Sequence, residues 1–103
     1  MNAKQEFLRE IEGKDLICAK IGLDKTDFGD KIKWKILKDN YTKQDFEEFC
    51  TELDFEYDNG YGTQELFGII LFADSYSTRY EYDGSENWEN HKMLTIQEVL
   101  TFA

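Results

Sequence analysis

The sequence contains little of the material from which catalytic and metal centres are usually built. It has one histidine, His91, and two cysteines, Cys18 and Cys50, which lie far apart and without a C-x-x-C spacing. Each cysteine stands in an apolar stretch, which predicts two small buried side chains rather than a disulfide or metal ligands. Gly60-x-Gly62 is followed neither by Lys-Ser/Thr nor by a helix, as a phosphate-binding loop would be. We therefore expect no catalytic residue, no cofactor and no metal ion, and we expect that the protein is not an enzyme.

Long apolar segments are lacking as well. The longest apolar run, residues 66–73, is too short for a membrane helix, and the first residues form no apolar signal region. We expect a cytoplasmic protein without membrane contact. The 103 residues suffice for a single domain, residues 1–103, and a hydrophobic content of 41% argues against disorder despite a net charge of -10.

The negative charge is concentrated in the second part of the chain. Residues 1–44 carry ten basic and eight acidic side chains, whereas residues 45–103 carry two basic and fourteen acidic ones, a net charge of −12. This density of negative charge favours partners with a basic surface and disfavours direct binding to nucleic acid.

Three segments have the pattern of amphipathic helices. Residues 2–12 place Phe7, Leu8 and Ile11 on one face, and Gly13 provides a stop. The opposite face of this segment is expected to be exposed: Lys4, Glu6, Arg9 and Glu10. A helix over residues 42–53 begins with a capping box and buries a stripe at i, i+3, i+4 and i+7: Phe46, Phe49, Cys50 and Leu53. A second capping box begins a short closing helix at residues 95–100.

Five segments are predicted as strands: 15–21, 31–36, 54–57, 66–73 and 78–83. In residues 31–36, lysines alternate with Ile32, Trp34 and Ile36, which predicts buried apolar residues and a lysine row facing water. This row either protects an edge strand or contacts phosphate or an acidic partner. Gly68 predicts a bulge or a close contact, and residues 84–94 are expected to be loop.

The predicted order of elements is α-β-β-α-β-β-β-α. Because most strands follow one another without long crossovers, this order favours an antiparallel sheet. The fold class is therefore α+β, with a sheet of four to five strands and two or three helices packed on one face.

The stretch 57–89 holds the candidate binding residues. We interpret it as a buried strand and its antiparallel neighbour, with two glycine-containing loops that present carboxylates beside aromatic rings. Nine residues form this hypothetical binding surface: Tyr61, Glu65, Tyr80, Glu81, Tyr82, Asp83, Glu86, Trp88 and Glu89. Enzymes that cleave sugars also use paired carboxylates near aromatic rings, but a domain of this size offers no obvious deep cleft for such a substrate. Asp83 opens a pattern like a calcium loop, yet Trp88 stands where that motif needs glycine.

Two parts of this stretch resemble a signature of small uncharacterised proteins from phages and prophages. They are residues 61–68, YGTQELFG, and residues 81–89, EYDGSENWE; the similarity covers roughly residues 42–90. The sequence departs from that pattern at Asn87, where the signature has a second tryptophan. Because the family carries no established activity, the resemblance implies a mobile-element setting and no residue-level chemistry.

These observations favour recognition over catalysis. The first hypothesis is a small acidic phage- or prophage-type protein that binds a host protein with a basic surface, as an inhibitor or a nucleic-acid mimic, with aromatic rings as anchors and carboxylates for steering. The alternative is a non-catalytic structural or homo-oligomeric accessory protein of a mobile element, in which the hairpin edge pairs with another copy.

Overall fold

The computed structural model describes residues 1–24, 32–57, 65–82, 85–93 and 96–101. Eight elements follow one another: α1 (Ala3–Ile11), β1 (Leu16–Leu23), β2 (Lys33–Leu37), α2 (Lys43–Glu52), β3 (Leu66–Phe72), β4 (Ser75–Tyr82), β5 (Ser85–Lys92) and α3 (Ile96–Leu100). The predicted α+β class and the order of elements are confirmed. Within the described ranges, no helix is long and apolar enough to cross a membrane.

The five strands form one antiparallel sheet in the order β2-β1-β3-β4-β5. β3 is therefore its centre, and β2 and β5 are its edges. In β3, a Cβ added to Gly68 would lie 2.6 Å from the backbone oxygen of Lys20 on β1. The two strands approach at this point because glycine has no side chain, which confirms the predicted close contact.

Helices α1 and α2 pack side by side on one face of the sheet. α2 begins with the predicted capping box, in which Thr42 and Asp45 exchange side-chain to backbone hydrogen bonds. The Phe7 ring of α1 meets the Phe49 ring of α2 edge-on, with centroids 5.2 Å apart. In the described part of the chain, the buried core consists of Ala3, Phe7, Ala19, Ile21, Leu37, Phe49, Cys50, Leu53, Tyr57, Leu66, Ile70 and Phe72.

The short helix α3 does not join this layer. Its apolar side chains are exposed, Ile96 by 81%, Val99 by 56% and Leu100 by 76%. The helix layer therefore consists of two helices, which is the lower of the two predicted numbers.

Two segments differ from the sequence prediction. Residues 54–57, predicted as a strand, form a single β-bridge between Glu56 and Asn2. Residues 85–92, predicted as loop, form β5 and pair with β4 along their whole length. The asparagines and glutamates of this segment have low strand propensity, so its pairing with β4 determines its structure. The turn predicted at residues 58–62 lies outside the described residues.

The prediction for β2 is wrong about which of its faces is covered. Lys35 lies on the helix side, where its Nζ is 3.7 Å from a carboxylate oxygen of Glu52 on α2. Trp34 and Ile36 lie on the other face and are 41% and 57% exposed. The alternation of polar and apolar residues predicts a strand, but it does not show which face of the strand the helices cover. The long lysine stems reach water past the helix layer because β2 is an edge strand.

Candidate protein-binding surface

The helix-covered face contains a buried charged cluster at β4 and β5. The side chains of Arg79 on β4 and Glu86 on β5 are only 1% and 2% exposed, and Arg79 Nη2 donates a hydrogen bond to Glu86 Oε1 at 3.0 Å. Glu86 also accepts the backbone N–H groups of Glu65, at 2.7 Å, and of Leu66, at 3.0 Å. One carboxylate thus holds together the start of β3, the middle of β4 and the start of β5.

Helix α1 enters the same cluster through Glu6. Its carboxylate lies 3.6 Å from Arg79 Nη1 and accepts a hydrogen bond from the Tyr57 hydroxyl. This hydroxyl in turn accepts a hydrogen bond from Arg79 Nη2 at 2.9 Å. Burial, together with the hydrogen bond to Glu6, raises the pKa of Tyr57. The prediction that Glu6 faces water is wrong, since the residue is 7% exposed and Arg79 compensates its charge.

Further polar contacts extend the cluster along β4 and β5. Ser77 Oγ donates to Glu10 Oε2 at 2.6 Å, and Asn90 Nδ2 donates to Ser77 Oγ at 3.0 Å. The Arg79 guanidinium lies 5.1 Å from the ring centroid of Trp88. Among the described residues, Arg79 Nε, Arg79 Nη1 and Trp88 Nε1 have no hydrogen-bond partner. Because its charges pair with one another, the cluster is suited to joining α1 to the sheet.

The nine predicted binding residues are divided between two faces of the sheet. Glu86 and Trp88 lie on the helix-covered face, where Glu86 is 1% exposed and Trp88 packs against the core. Glu86 is therefore not the accessible carboxylate that the sequence suggested. Tyr80 and Glu89 lie on the opposite face and are exposed, and Glu65 is half-buried at the start of β3. The remaining positions lie outside the described residues, Tyr61 and Asp83 entirely and Glu81 and Tyr82 by their side chains.

The sheet face opposite α1 and α2, the open face, carries residues in three rows across the strands, two that begin at β2 and one that begins at β1. The middle row consists of Ile36, Lys20, Ile69, Thr78 and Glu89. On one side of it lie Trp34, Gly22, Phe67, Tyr80 and Asn87. On the other side lie Cys18, Leu71, Tyr76 and His91.

Large apolar side chains of the open face reach solvent. Ile36 is 57% exposed, Ile69 48%, and Trp34 and Tyr80 are each 41% exposed. Ile36 and Ile69 belong to the same row, and Trp34 and Tyr80 to the next. The exposed apolar side chains therefore lie on β2, β3 and β4, and Lys20 of β1 stands between Ile36 and Ile69.

Contacts within the open face hold Trp34 in place. A Cβ added to Gly22 would lie 2.8 Å from Cε3 of Trp34, so the ring rests against the backbone of β1. The ammonium group of Lys20 lies 4.7 Å from the centroid of the same ring. Trp34 is thus ordered before any partner binds, which lowers the entropy cost of using it as an anchor.

His91, predicted to lie in a loop, belongs to the edge strand β5. Its ring stacks on that of Tyr76, with centroids 4.9 Å apart, and its Nε2 lies 3.1 Å from the Thr78 hydroxyl. The carboxylate of Glu89 is 3.6 Å from the same nitrogen. These contacts give the β5 side of the open face a polar border.

Among the described residues of the second half, most exposed carboxylates lie away from this face. Six of them belong to α2 and the segment that follows it: Asp45, Glu47, Glu48, Glu52, Asp54 and Glu56. On the open face, Glu89 is the one acidic residue within the three rows. The predicted mixture of aromatic anchors and carboxylates in one footprint is therefore not what the described residues form.

For two features of this arrangement the sequence contains an indication, but local patterns alone do not predict the contacts. Arg79 is the one basic residue among the acidic residues of 45–91, which indicates a paired arginine rather than a solvated one. Trp34 and Ile36 show the period of a strand, but only the position of the helices reveals that they face solvent. Lys20 and Glu89 lie in one row because strands that are distant in the sequence lie in one sheet. No local pattern predicts this arrangement.

The described residues provide no group of three or more His, Cys, Asp or Glu side chains placed to hold a metal ion. Both cysteines are free thiols: Cys50 is buried and Cys18 is half-buried on the open face. Burial raises the pKa of the Cys50 thiol, which keeps it protonated at neutral pH.

We compared the chain with protein-family models, with curated proteins and with solved structures, and none matched.

Proposed function

We propose that the protein is a non-catalytic protein-binding module that takes its partner on the open face of the sheet. The observation that supports this role is the exposure of Trp34, Ile36, Ile69 and Tyr80 on one side of a sheet whose other side is covered by helices. Several large apolar side chains exposed together on one face mark an interaction site, because monomeric soluble proteins rarely leave large apolar patches in contact with water.

The apolar side chains contribute part of the free energy of association. Full burial of a large apolar side chain contributes about 1.5–3 kcal/mol, and these four are already half covered, so a partner gains roughly 3–6 kcal/mol from them. Association has its own cost in translational and rotational freedom. The surface therefore suits a partner that adds polar contacts, to Lys20 within the face and to Glu89 at its β5 edge.

For the biological setting we extend the proposal to a phage- or prophage-type protein that acts in the cytoplasm of its host. The resemblance in residues 42–90 supports this setting, and the net charge of -10 favours a host partner with a basic surface. Because the exposed carboxylates of α2 lie on the helix layer, their part is to speed the encounter rather than to contact the apolar anchors.

A second candidate function uses the helix layer itself. Asp45, Glu47, Glu48 and Glu52 are exposed on α2, with Lys43 as the one basic side chain of that helix. Such a surface supports inhibition of a basic protein or mimicry of nucleic acid. It is independent of the open face, so variants of the two faces separate the two functions.

The test is affinity capture from a host lysate with matched variants. The variant Ile36→Thr/Ile69→Thr keeps β-branched residues and removes apolar surface from the open face, whereas the control Leu8→Thr changes a side chain that is 38% exposed on α1. We expect a protein bound by the wild type and the control to be lost with the double variant. Equal capture by all three contradicts the proposal, and loss with Glu47→Lys/Glu48→Lys alone supports the second candidate.

A further inference from the structure

We propose that the partner binds through an extended segment that joins the sheet as a sixth strand beside β2, with apolar residues at alternate positions and a basic residue beside Leu37. The inference rests on the protein-binding role proposed above and specifies how the partner binds. β2 is an edge of the sheet, and in the described part of the chain residues 33–37 form backbone-to-backbone hydrogen bonds with β1 alone. The outward-facing N–H and C=O groups of this edge are therefore available to a further strand.

On the open-face side, this edge presents two apolar side chains. Trp34 is 41% exposed and Ile36 57%. A strand added about 4.8 Å from β2 places alternate side chains beside them on the same face, where apolar residues with high strand propensity fit best. The other edge of the sheet, β5, offers no such anchors, because the side chains that it places on the open face are polar: Asn87, Glu89 and His91.

On the helix side, a groove of about 200 Å³ separates β2 from α2. Leu37 and Phe49 lie at its base, and each is no more than 2% exposed. Ile36 also lines the groove although its side chain belongs to the open face, which places the groove along the outer edge of β2. The α2 wall of the groove carries three exposed carboxylates: Asp45, Glu48 and Glu52.

The groove carries an excess of negative charge. Glu52 is paired with Lys35, with 3.7 Å between the charged atoms, and Lys38 adds one positive charge at the rim. None of the ion pairs among the described residues includes Asp45 or Glu48. Each of these two carboxylates accepts one hydrogen bond from a neutral group at the start of α2, which leaves its charge uncompensated. Three carboxylates against two ammonium groups leave a net charge of −1.

This charge selects a basic residue at one end of the added strand. Beside Leu37, a lysine or arginine meets Asp45 and Glu48, while its methylene stem covers the apolar base of the groove. Beside Lys33, at the opposite end of β2, a second basic residue is repelled. Lysines can protect an edge strand from further pairing. Here Lys35 is neutralised by α2 and Lys33 lies at one end, so the two lysines do not block the whole edge.

Two synthetic peptides probe this edge by NMR titration of the whole chain. Acetyl-Lys-Val-Thr-Val-Thr-amide places its lysine beside Leu37 as an antiparallel strand, and acetyl-Thr-Val-Thr-Val-Lys-amide does so as a parallel strand. We expect one of them to bind in the millimolar range, because a short peptide loses much conformational freedom when it pairs. Its binding should shift the signals of the Trp34 indole and the Ile36 methyl groups and slow hydrogen exchange of the outward-facing amides of β2.

Charge and backbone are tested separately. Replacing the lysine of the peptide by glutamate should weaken binding roughly tenfold, because two attractions become repulsions. Glu48→Lys should weaken binding of the basic peptide by a similar factor and strengthen that of the acidic one. The matched control is Glu47→Lys, which makes the same charge change on α2 outside the groove and should leave both affinities nearly unchanged. N-methylation of both valines or of both threonines blocks one edge of the peptide at a time, so one version should lose binding and the other keep it.

The outcomes separate this inference from the proposed function. Binding that needs one set of peptide N–H groups and follows the charge at Glu48 supports the added strand. A peptide that binds equally well in both N-methylated versions lies flat on the face, and equal weakening by Glu47→Lys and Glu48→Lys shows unspecific attraction; either result overturns the inference. If neither peptide slows exchange in β2 while capture of a host protein is still lost in Ile36→Thr/Ile69→Thr, the added strand is overturned and the binding role stands.

Discussion

Replacing Glu86 by alanine tests the buried cluster that joins α1 to the sheet. The carboxylate accepts hydrogen bonds from Arg79 and from the backbone N–H groups of Glu65 and Leu66, and its side chain is 2% exposed. Its removal leaves the guanidinium of Arg79 with the longer ion pair to Glu6 as its remaining charge contact, at 3.6 Å. Breaking a buried pair on one side typically costs about 3–5 kcal/mol, a large part of a total stability of about 5–15 kcal/mol.

Urea unfolding at neutral pH, followed by circular dichroism, measures this cost. The matched control is Glu89→Ala on the same strand, because that carboxylate is 49% exposed and contacts His91 alone among the described ion pairs. We expect the control to change stability by less than about 0.5–1 kcal/mol. A Glu86→Ala variant that unfolds at the same urea concentration as the control would show that the cluster does not hold the fold together.

Three further predictions concern stability and are measured by the same unfolding assay. Gly68→Ala places a Cβ 2.6 Å from the backbone oxygen of Lys20 and should cost about 1–3 kcal/mol; an unchanged midpoint contradicts the close contact. Thr42→Ala removes the capping box of α2 and should cost about 1 kcal/mol, with Thr51→Ala as the control inside the helix. The pKa of Tyr57 is raised above the value of about 10 for an unfolded tyrosine. The contribution of its neutral hydroxyl to folding stability is therefore complete below pH 10 and declines above it. Tyr57→Phe should therefore lose less stability than the wild type between pH 8 and about 11, and parallel losses would count against this assignment.

Local patterns were sufficient for much of the fold. The capping box at Thr42 predicts the start of a helix, and the apolar stripe from Phe46 to Leu53 has the period of a helix. α2 lies where these two features predict it. The uninterrupted apolar run at residues 66–73 predicted the central strand. These elements follow from interactions between residues a few positions apart, which the sequence displays directly.

The candidate site depended on interactions between distant residues. β5 is a strand because β4 lies beside it, and Glu86 is buried because Arg79 neutralises it there. Trp34 and Ile36 are exposed because both packed helices lie on the other face of the sheet. A stretch rich in carboxylates and aromatic rings looks alike in a sequence whether its side chains meet a partner or one another, so the sequence alone assigned Glu86 to the wrong role.

Methyl NMR on isotope-labelled isoleucines tests most directly whether the open face is where the protein binds. Spectra are compared between dilute and concentrated protein, and with any captured partner. We predict that the signals of Ile36 and Ile69 shift, while that of Ile70, buried on the helix side of β3, and that of Ile96 on α3 remain in place. Shifts confined to Ile96, or binding that leaves Ile36 and Ile69 unchanged, would contradict the account.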